Sequence, residues 1–265
     1  MNSNPIGVFD SGIGGLTVVN EILKQLPNES IIYLGDTARV PYGTRGKEVI
    51  TKFALELANF LIRKKIKFLV VACNTISAIA LPEIEKISPV HILGVVDPAV
   101  KKALKTTKIK KIGVIGTSGT INSKVYENKI KELDSKIEVV SVACPLFVPI
   151  TEEGFNEHEA TKMIAREYLE QIKSSGVDTL ILGCTHYPLL DNVIQEIMGE
   201  NVVLVDSAQP TAKELKKLLE EKKLLSENSE PTYQFFITDA PDRVYQIASK
   251  FFSQNLVDRI KKITL

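Results

Sequence analysis

The sequence predicts an α/β fold: two pseudo-twofold-related α/β domains with mainly parallel sheets, meeting at an interdomain cleft. Short apolar, β-branched runs alternate with amphipathic helical patterns along almost the whole chain. The runs are continuously apolar, as strands covered on both faces require, and not strictly alternating. The chain also carries an internal repeat, which suggests two copies of one unit.

In chain order, "IGVFD" (6–10) reads as a first strand and "GLTVVNEILKQL" (15–26) as a helix with apolar residues at helical spacing. "SIIYLGD" (30–36) follows as a strand, then the long amphipathic pattern "KEVITKFALELANFLIRKK" (47–65) and the strands "FLVVAC" (68–73) and "HILGVV" (91–96). The basic run "KTTKIKK" (105–111) reads as a solvated connection into the second half. That half supplies "KIGVIG" (111–116), "EVVSVA" (138–143), the helix "EATKMIAREYLEQIKSS" (159–175), "TLILGC" (179–184) and "VVLVD" (202–206). A polar loop within "EEKKLLSENSEP" (220–231) precedes a last strand, "YQFFIT" (233–238). In parallel sheets of this kind ligands bind beyond the carboxyl ends of the strands.

Composition excludes several partners. Lys plus Arg number 33 and Asp plus Glu 32, so no long-range field draws in nucleic acid or anionic lipid. No apolar run is long enough to span a bilayer, and "MNSNPIGVFD" lacks the basic and apolar regions of a signal peptide, so a cytoplasmic protein is expected. The three cysteines, Cys73, Cys144 and Cys184, suit reduced thiols better than a disulfide framework.

The repeat places two of these thiols in equivalent positions. "IGVFDS" (6–11) is similar to "IGVIGT" (112–117), and "LVVACNT" (69–75) to "LILGCTH" (180–186). Gly7 precedes Cys73 by 66 positions and Gly113 precedes Cys184 by 71. Each half then presents one strand-end thiol to a shared cleft. A thiolate on one face of a carbon acid and a thiol on the other invert a stereocentre: one removes a proton and the other returns one. With a reference pKa of about 8.5, a thiol needs help to ionise near neutrality, and the helix starts expected after both strands favour an anion there. The two sulfurs titrate as a coupled unit and stand too far apart for a disulfide.

"GVFDSGIGGLTV", "YLGDTARVPYG", "VVACNT" and "LGCTHYP" closely resemble, in order and over nearly the full chain, the motifs of the glutamate racemases, cofactor-independent members of the aspartate/glutamate racemase superfamily. The resemblance implies that Cys73 and Cys184 interconvert L- and D-glutamate with no cofactor or metal, supplying D-glutamate for peptidoglycan. It implies that the last strand and helices return to the first domain, giving domains at 1–97 plus 207–265 and at 98–206, and that a homodimer is the common assembly. Carried over residue by residue, Asp10 assists proton transfer at Cys73 and His186 at Cys184, and Glu152 is a further acidic residue of the site. Ser11, Tyr42, Gly43, Asn74, Thr75 and Thr185 join Asp10 and His186 in holding substrate, Tyr42 and Gly43 at its side-chain carboxylate.

Plainer readings stand beside these. Asp10, Asn74, Thr75 and Thr185 are all suitable helix caps, and Pro-Tyr-Gly is an ordinary turn. "GIGG" misses the third glycine of a dinucleotide loop and reads as a tight turn opening a helix. Cys144, without a counterpart in the repeat, reads as buried and inert. Another acidic amino acid as substrate, a glutamate-binding module without catalysis, and a metal site at Cys73, Cys184 and His186 complete the alternatives. The last lacks any paired ligand spacing.

Overall fold

A computed structural model describes residues 3–239, 241–249, 252 and 254–265. Each of the nine expected runs forms a strand: β1 (Ile6–Asp10), β2 (Ile31–Gly35), β3 (Phe68–Val71), β4 (His91–Gly94), β5 (Lys111–Gly116), β6 (Glu138–Ala143), β7 (Thr179–Gly183), β8 (Val203–Val205) and β9 (Tyr233–Ile237). A short β10 (Ile260–Lys262) is added near the C-terminus. "HILGVV" stops as a strand at Gly94, because Val95 already has helical backbone angles and opens the helix Val96–Thr106.

All pairings are parallel, in a six-stranded sheet ordered β10-β9-β2-β1-β3-β4 and a four-stranded sheet ordered β6-β5-β7-β8. The order β2-β1-β3-β4 recurs as β6-β5-β7-β8, so the repeat read in the sequence is a repeat of topology. Its register is also kept: Gly7 lies opposite Leu69 and Gly113 opposite Leu180, each four residues before a cysteine. In both sheets the connections leave in opposite directions from the first strand of the repeat. The crevices at β1/β3 and β5/β7 are therefore the switch points at which such sheets bind ligands.

Continuous apolar runs are explained by cover on both faces. Ile6, Val8, Phe68 and Val70 pack beneath the helices Leu16–Gln25 and Ala208–Glu221, while Phe9, Leu69 and Val71 face the helix Lys47–Arg63. β5 and β7 divide in the same way, Ile115, Leu180 and Leu182 toward the helix Glu159–Ser174 and Ile112, Val114 and Ile181 toward Val96–Thr106. Among the described residues no helix is long and apolar enough to cross a membrane.

The chain returns to the first sheet through β9, which pairs with β2 in the register Ile31 to Tyr233. The return is fixed by an ion pair with almost no access to water, Lys67 Nζ to Glu29 Oε2 at 2.6 Å. Lys67 also donates to the Leu224 carbonyl at 2.7 Å, and Glu29 accepts from the Ser226 N–H at 2.8 Å. Removing one member strands the other charge in the core. Lys67→Ala is accordingly expected to destabilise the protein by about 3–5 kcal/mol in urea unfolding, with Lys67→Ala/Glu29→Leu recovering part of the loss.

Candidate active site

Cys73 follows β3 as the N-cap of the helix Asn74–Ile79, with its sulfur accepting from the Ile76 N–H at 3.5 Å. The thiol thus occupies a place usually held by a Ser, Thr, Asp or Asn oxygen. Ser11, the residue after β1, brings its hydroxyl to 3.2 Å from Cys73 Sγ. Burial pushes the Cys73 thiol up to about 12 and the Asp10 charge adds to this, while the hydrogen bonds from Ser11 and Ile76 act the other way. Asp10 ends β1, fully buried, and accepts from the Gly12 N–H at 3.0 Å. Its pKa is raised by burial, against the opposing His186 charge and the backbone N–H groups of Gly12 and Gly15.

Cys184 departs from the sequence reading. No helix starts at it: residues 185–186 form a turn, Tyr187–Leu190 a 3-10 segment, and the α-helix begins only at Asp191. The cause is Pro188. An α-helical turn here needs the residue-188 N–H to reach the Cys184 carbonyl, but proline has none, and Tyr187 N–H makes the tighter bond at 3.1 Å instead. Cys184 gains a histidine in place of a helix N-terminus. His186 Nδ1 stands 3.9 Å from Cys184 Sγ, and Nε2 lies 3.2 Å from Glu152 Oε1. Burial works against a charged ring, but hydrogen bonds to Cys184 and Glu152 and the negative charge of both outweigh it and push His186 up to about 10. The ring thus bridges Cys184 and Glu152.

Both cysteines line one small pocket where the two halves meet. Ser11, Tyr42, Gly43, Asn74, Thr75, Thr185 and His186 line it too. Asp10 and Glu152 stand behind this wall. Asp10 accepts from Thr185 Oγ1 at 3.5 Å, across the halves, and Glu152 touches the cavity through His186. The Tyr42 phenol turns away to donate to Asp36, which leaves its backbone and Gly43 at the cavity. Among the described residues no three His, Cys, Asp or Glu side chains form a group able to hold a metal ion. Cys144 is buried, and burial raises its pKa.

Thr117 and Thr120 were not singled out from the sequence. Thr117 lines the cavity, and its hydroxyl forms a triangle with those of Thr75 at 2.9 Å and Thr120 at 3.0 Å. The repeat held the signal for Thr117: it takes the place in "IGVIGT" that Ser11 takes in "IGVFDS". The halves meet closely around these groups. A Cβ on Gly14 would lie 2.3 Å from Thr185 Oγ1 and 2.6 Å from His186 Nδ1, and one on Gly43 would lie 2.3 Å from the Thr117 side chain.

A pH dependence follows from His186. Its pKa rises on folding from the ordinary 6.5 to about 10, so its stabilising contribution is complete below about pH 6.5 and is lost as the pH climbs through 10. His186→Asn is expected to remove that slope: the stability gap between wild type and variant in urea unfolding narrows steadily from about pH 6.5 to about pH 10. A gap that is constant or widens contradicts the charged ring.

Comparison with known proteins gives the geometry its context. The family model for Asp/Glu/Hydantoin racemase matches residues 6–215. The glutamate racemase of Geobacter metallireducens is 48% identical over 254 residues, covering 96% of this chain and 94% of its own. That of Enterococcus faecalis is 49% identical over 252 residues, covering 94% and 92%. The crystal structure of a glutamate racemase from Bacillus anthracis superposes with a TM-score of 0.95 at 40% identity, covering 100% of this chain and 99% of that one. The glutamate racemase of Francisella tularensis, in complex with D-glutamate, does so with a TM-score of 0.92 at 40% identity, covering 100% and 98%. Likeness that runs the length of both chains, in sequence and in fold alike, means that this chain belongs to the Asp/Glu/Hydantoin racemase family and, within it, to the glutamate racemases.

Proposed function

We propose that the protein interconverts L- and D-glutamate by proton transfer between the substrate Cα and two thiols, Cys73 and Cys184, and so supplies D-glutamate for peptidoglycan. The observation that carries this reading is that the two cysteines reach one cavity from equivalent positions of a repeated frame. One sulfur removes the α-proton and the other delivers a proton to the opposite face. Running the steps backwards restores the first enantiomer.

The surroundings divide the roles. Cys73, with its thiol held protonated, is equipped as the proton donor of one direction, and Cys184, beside the His186 imidazolium, as the base. In the other direction Cys73 must lose its proton, and Asp10, whose charge acts on that sulfur, is the group assigned to assist. Hydroxyl and amide groups of Ser11, Asn74, Thr75 and Thr185 hold the α-substituents, and backbone N–H groups at Tyr42 and Gly43 the side-chain carboxylate. A cofactor-independent site has no external electron sink. Preorganised donors in a water-poor cavity therefore bear the charge developing on the substrate.

The six-stranded sheet takes its strands from residues 6–94 and 233–262 and the four-stranded sheet from 111–205, which supports domains at 1–97 plus 207–265 and at 98–206. Three free, buried thiols suit the reducing cytoplasm. A homodimer, the common family assembly, is expected in sedimentation velocity.

Incubation with L- or D-glutamate in deuterium oxide tests the mechanism. Wild type is expected to racemise both enantiomers and to place deuterium at Cα, with Cys73→Ser and Cys184→Ser each slowing racemisation by about 10²–10⁴-fold. Glutamate binding without α-exchange would mean a binding module. Faster turnover of aspartate would reassign the substrate.

A further inference from the structure

Behind the cavity wall lies a buried polar contact used neither in the mechanism above nor in the sequence reading. Tyr126, on the helix Val125–Leu133 of the second half, sends its hydroxyl to the side chain of Asn74, which lines the cavity from the first half. Ser207, just ahead of the helix Ala208–Glu221, completes the group, with Oγ 3.2 Å from Asn74 Nδ2 and 3.3 Å from Asn74 Oδ1. All three residues are at most 3% exposed.

Tyr126 faces the amide oxygen of Asn74 and donates to it, its phenol oxygen 2.5 Å from Oδ1 and within the range of about 2.5–3.0 Å for O–H···O bonds. Burial also raises the phenol pKa, with the Cys184 charge acting the same way, so the hydroxyl keeps its proton. With the carbonyl oxygen taken up by Tyr126, the amide nitrogen faces the other way. Ser207 Oγ, within reach of both amide atoms, takes at most one amide hydrogen, so at least one is left for the cavity wall that Asn74 lines.

We propose that Tyr126 is a positioning residue: its hydroxyl locks the Asn74 amide so that an N–H, and not the carbonyl, meets the substrate, making this wall selective for a carboxylate. The inference rests on the glutamate racemase reading and assigns the amino acid's α-carboxylate to this position. Without the lock, the amide rotates and presents its carbonyl for part of the time, which reduces apparent affinity by the fraction misoriented. The amide holds the α-carboxylate in the bound substrate as well as in the transition state, where part of the developing charge reaches that carboxylate, so the loss falls on KM and, to a smaller extent, on kcat.

The test is steady-state racemisation of L- and D-glutamate by wild type, Tyr126→Phe, Asn74→Ala, the double variant and Asn74→Asp. Tyr126→Phe keeps the packed ring and loses only the hydroxyl. It is expected to raise KM for both enantiomers by about tenfold, the usual weight of one hydrogen bond, with kcat within about threefold. In the Asn74→Ala background the same substitution is expected to change nothing further, whereas a merely structural Tyr126 would lower activity by the same factor in both backgrounds and overturn the proposal. Asn74→Asp retains an acceptor for Tyr126 and is expected to raise KM by more than tenfold. An unchanged or lower KM would show that an acceptor belongs at this wall, and it decides the question even if Tyr126→Phe folds poorly. Inactive wild type would instead overturn the racemase reading itself.

Discussion

How closely the carboxyl ends of the two sheets can approach decides whether the two thiols reach one cavity. Each thiol is fixed by its own strand, but the cavity exists only because the turn after β1 lies directly on Thr185 and His186 and the loop after β2 lies directly on Thr117. Side chains at positions 14 and 43 would fill those contacts, with Cβ atoms 2.3 Å from Thr185 Oγ1 and from the Thr117 side chain. Glycine is thus required at both positions by clearance and not by an unusual backbone angle. The approach is secured by hydrogen bonds that cross it, from the Gly119 N–H to the Gly43 carbonyl at 2.7 Å and from Thr185 to Asp10. The site is therefore a property of the joint, and each half alone would carry an isolated cysteine in a crevice.

Within this nearly symmetric frame the chemistry is asymmetric. Both cysteines sit four residues past equivalent strand positions, but Cys73 caps a helix while Pro188 denies Cys184 the same geometry. The first sulfur is surrounded by a hydroxyl, a backbone N–H and the field of Asp10; the second has a cationic ring held by Glu152. A racemase needs opposite protonation states on its two sides at any instant. The two sulfurs therefore meet different surroundings, a cation beside Cys184 and a carboxylate beside Cys73.

What the sequence made legible follows from where its signals were strong. Nine strands were readable because strands covered on both faces must be continuously apolar, and the repeat then paired Cys73 with Cys184 before any geometry was available. β10 was not, because "IKK" carries one apolar residue and joins the sheet only through its neighbour β9. The helix start expected at Cys184 failed on a point of backbone chemistry visible in the sequence, a proline four residues after the carbonyl it would have to satisfy. Thr117 was available from the repeat, whereas Thr120, Tyr126 and Ser207 carried no local signal. Their roles arise from contacts between segments 45–133 positions apart, which no motif encodes.

The distribution of these hidden contacts bears on how a site without an electron sink is built. A developing carbanion is stabilised only by dipoles that already point at it, since reorientation during the reaction would cost the energy that the dipoles are meant to supply. Hydroxyl and amide side chains have more than one low-energy orientation, so each needs a second partner to fix it. Here Thr75 is fixed by Thr117 and Thr120, Asn74 by Tyr126 and Ser207, and His186 by Glu152. Nearly all of these partners belong to the opposite half from the group they fix, or to the segment that crosses between the halves. The same close approach that brings the thiols together thus also sets the direction of the dipoles between them.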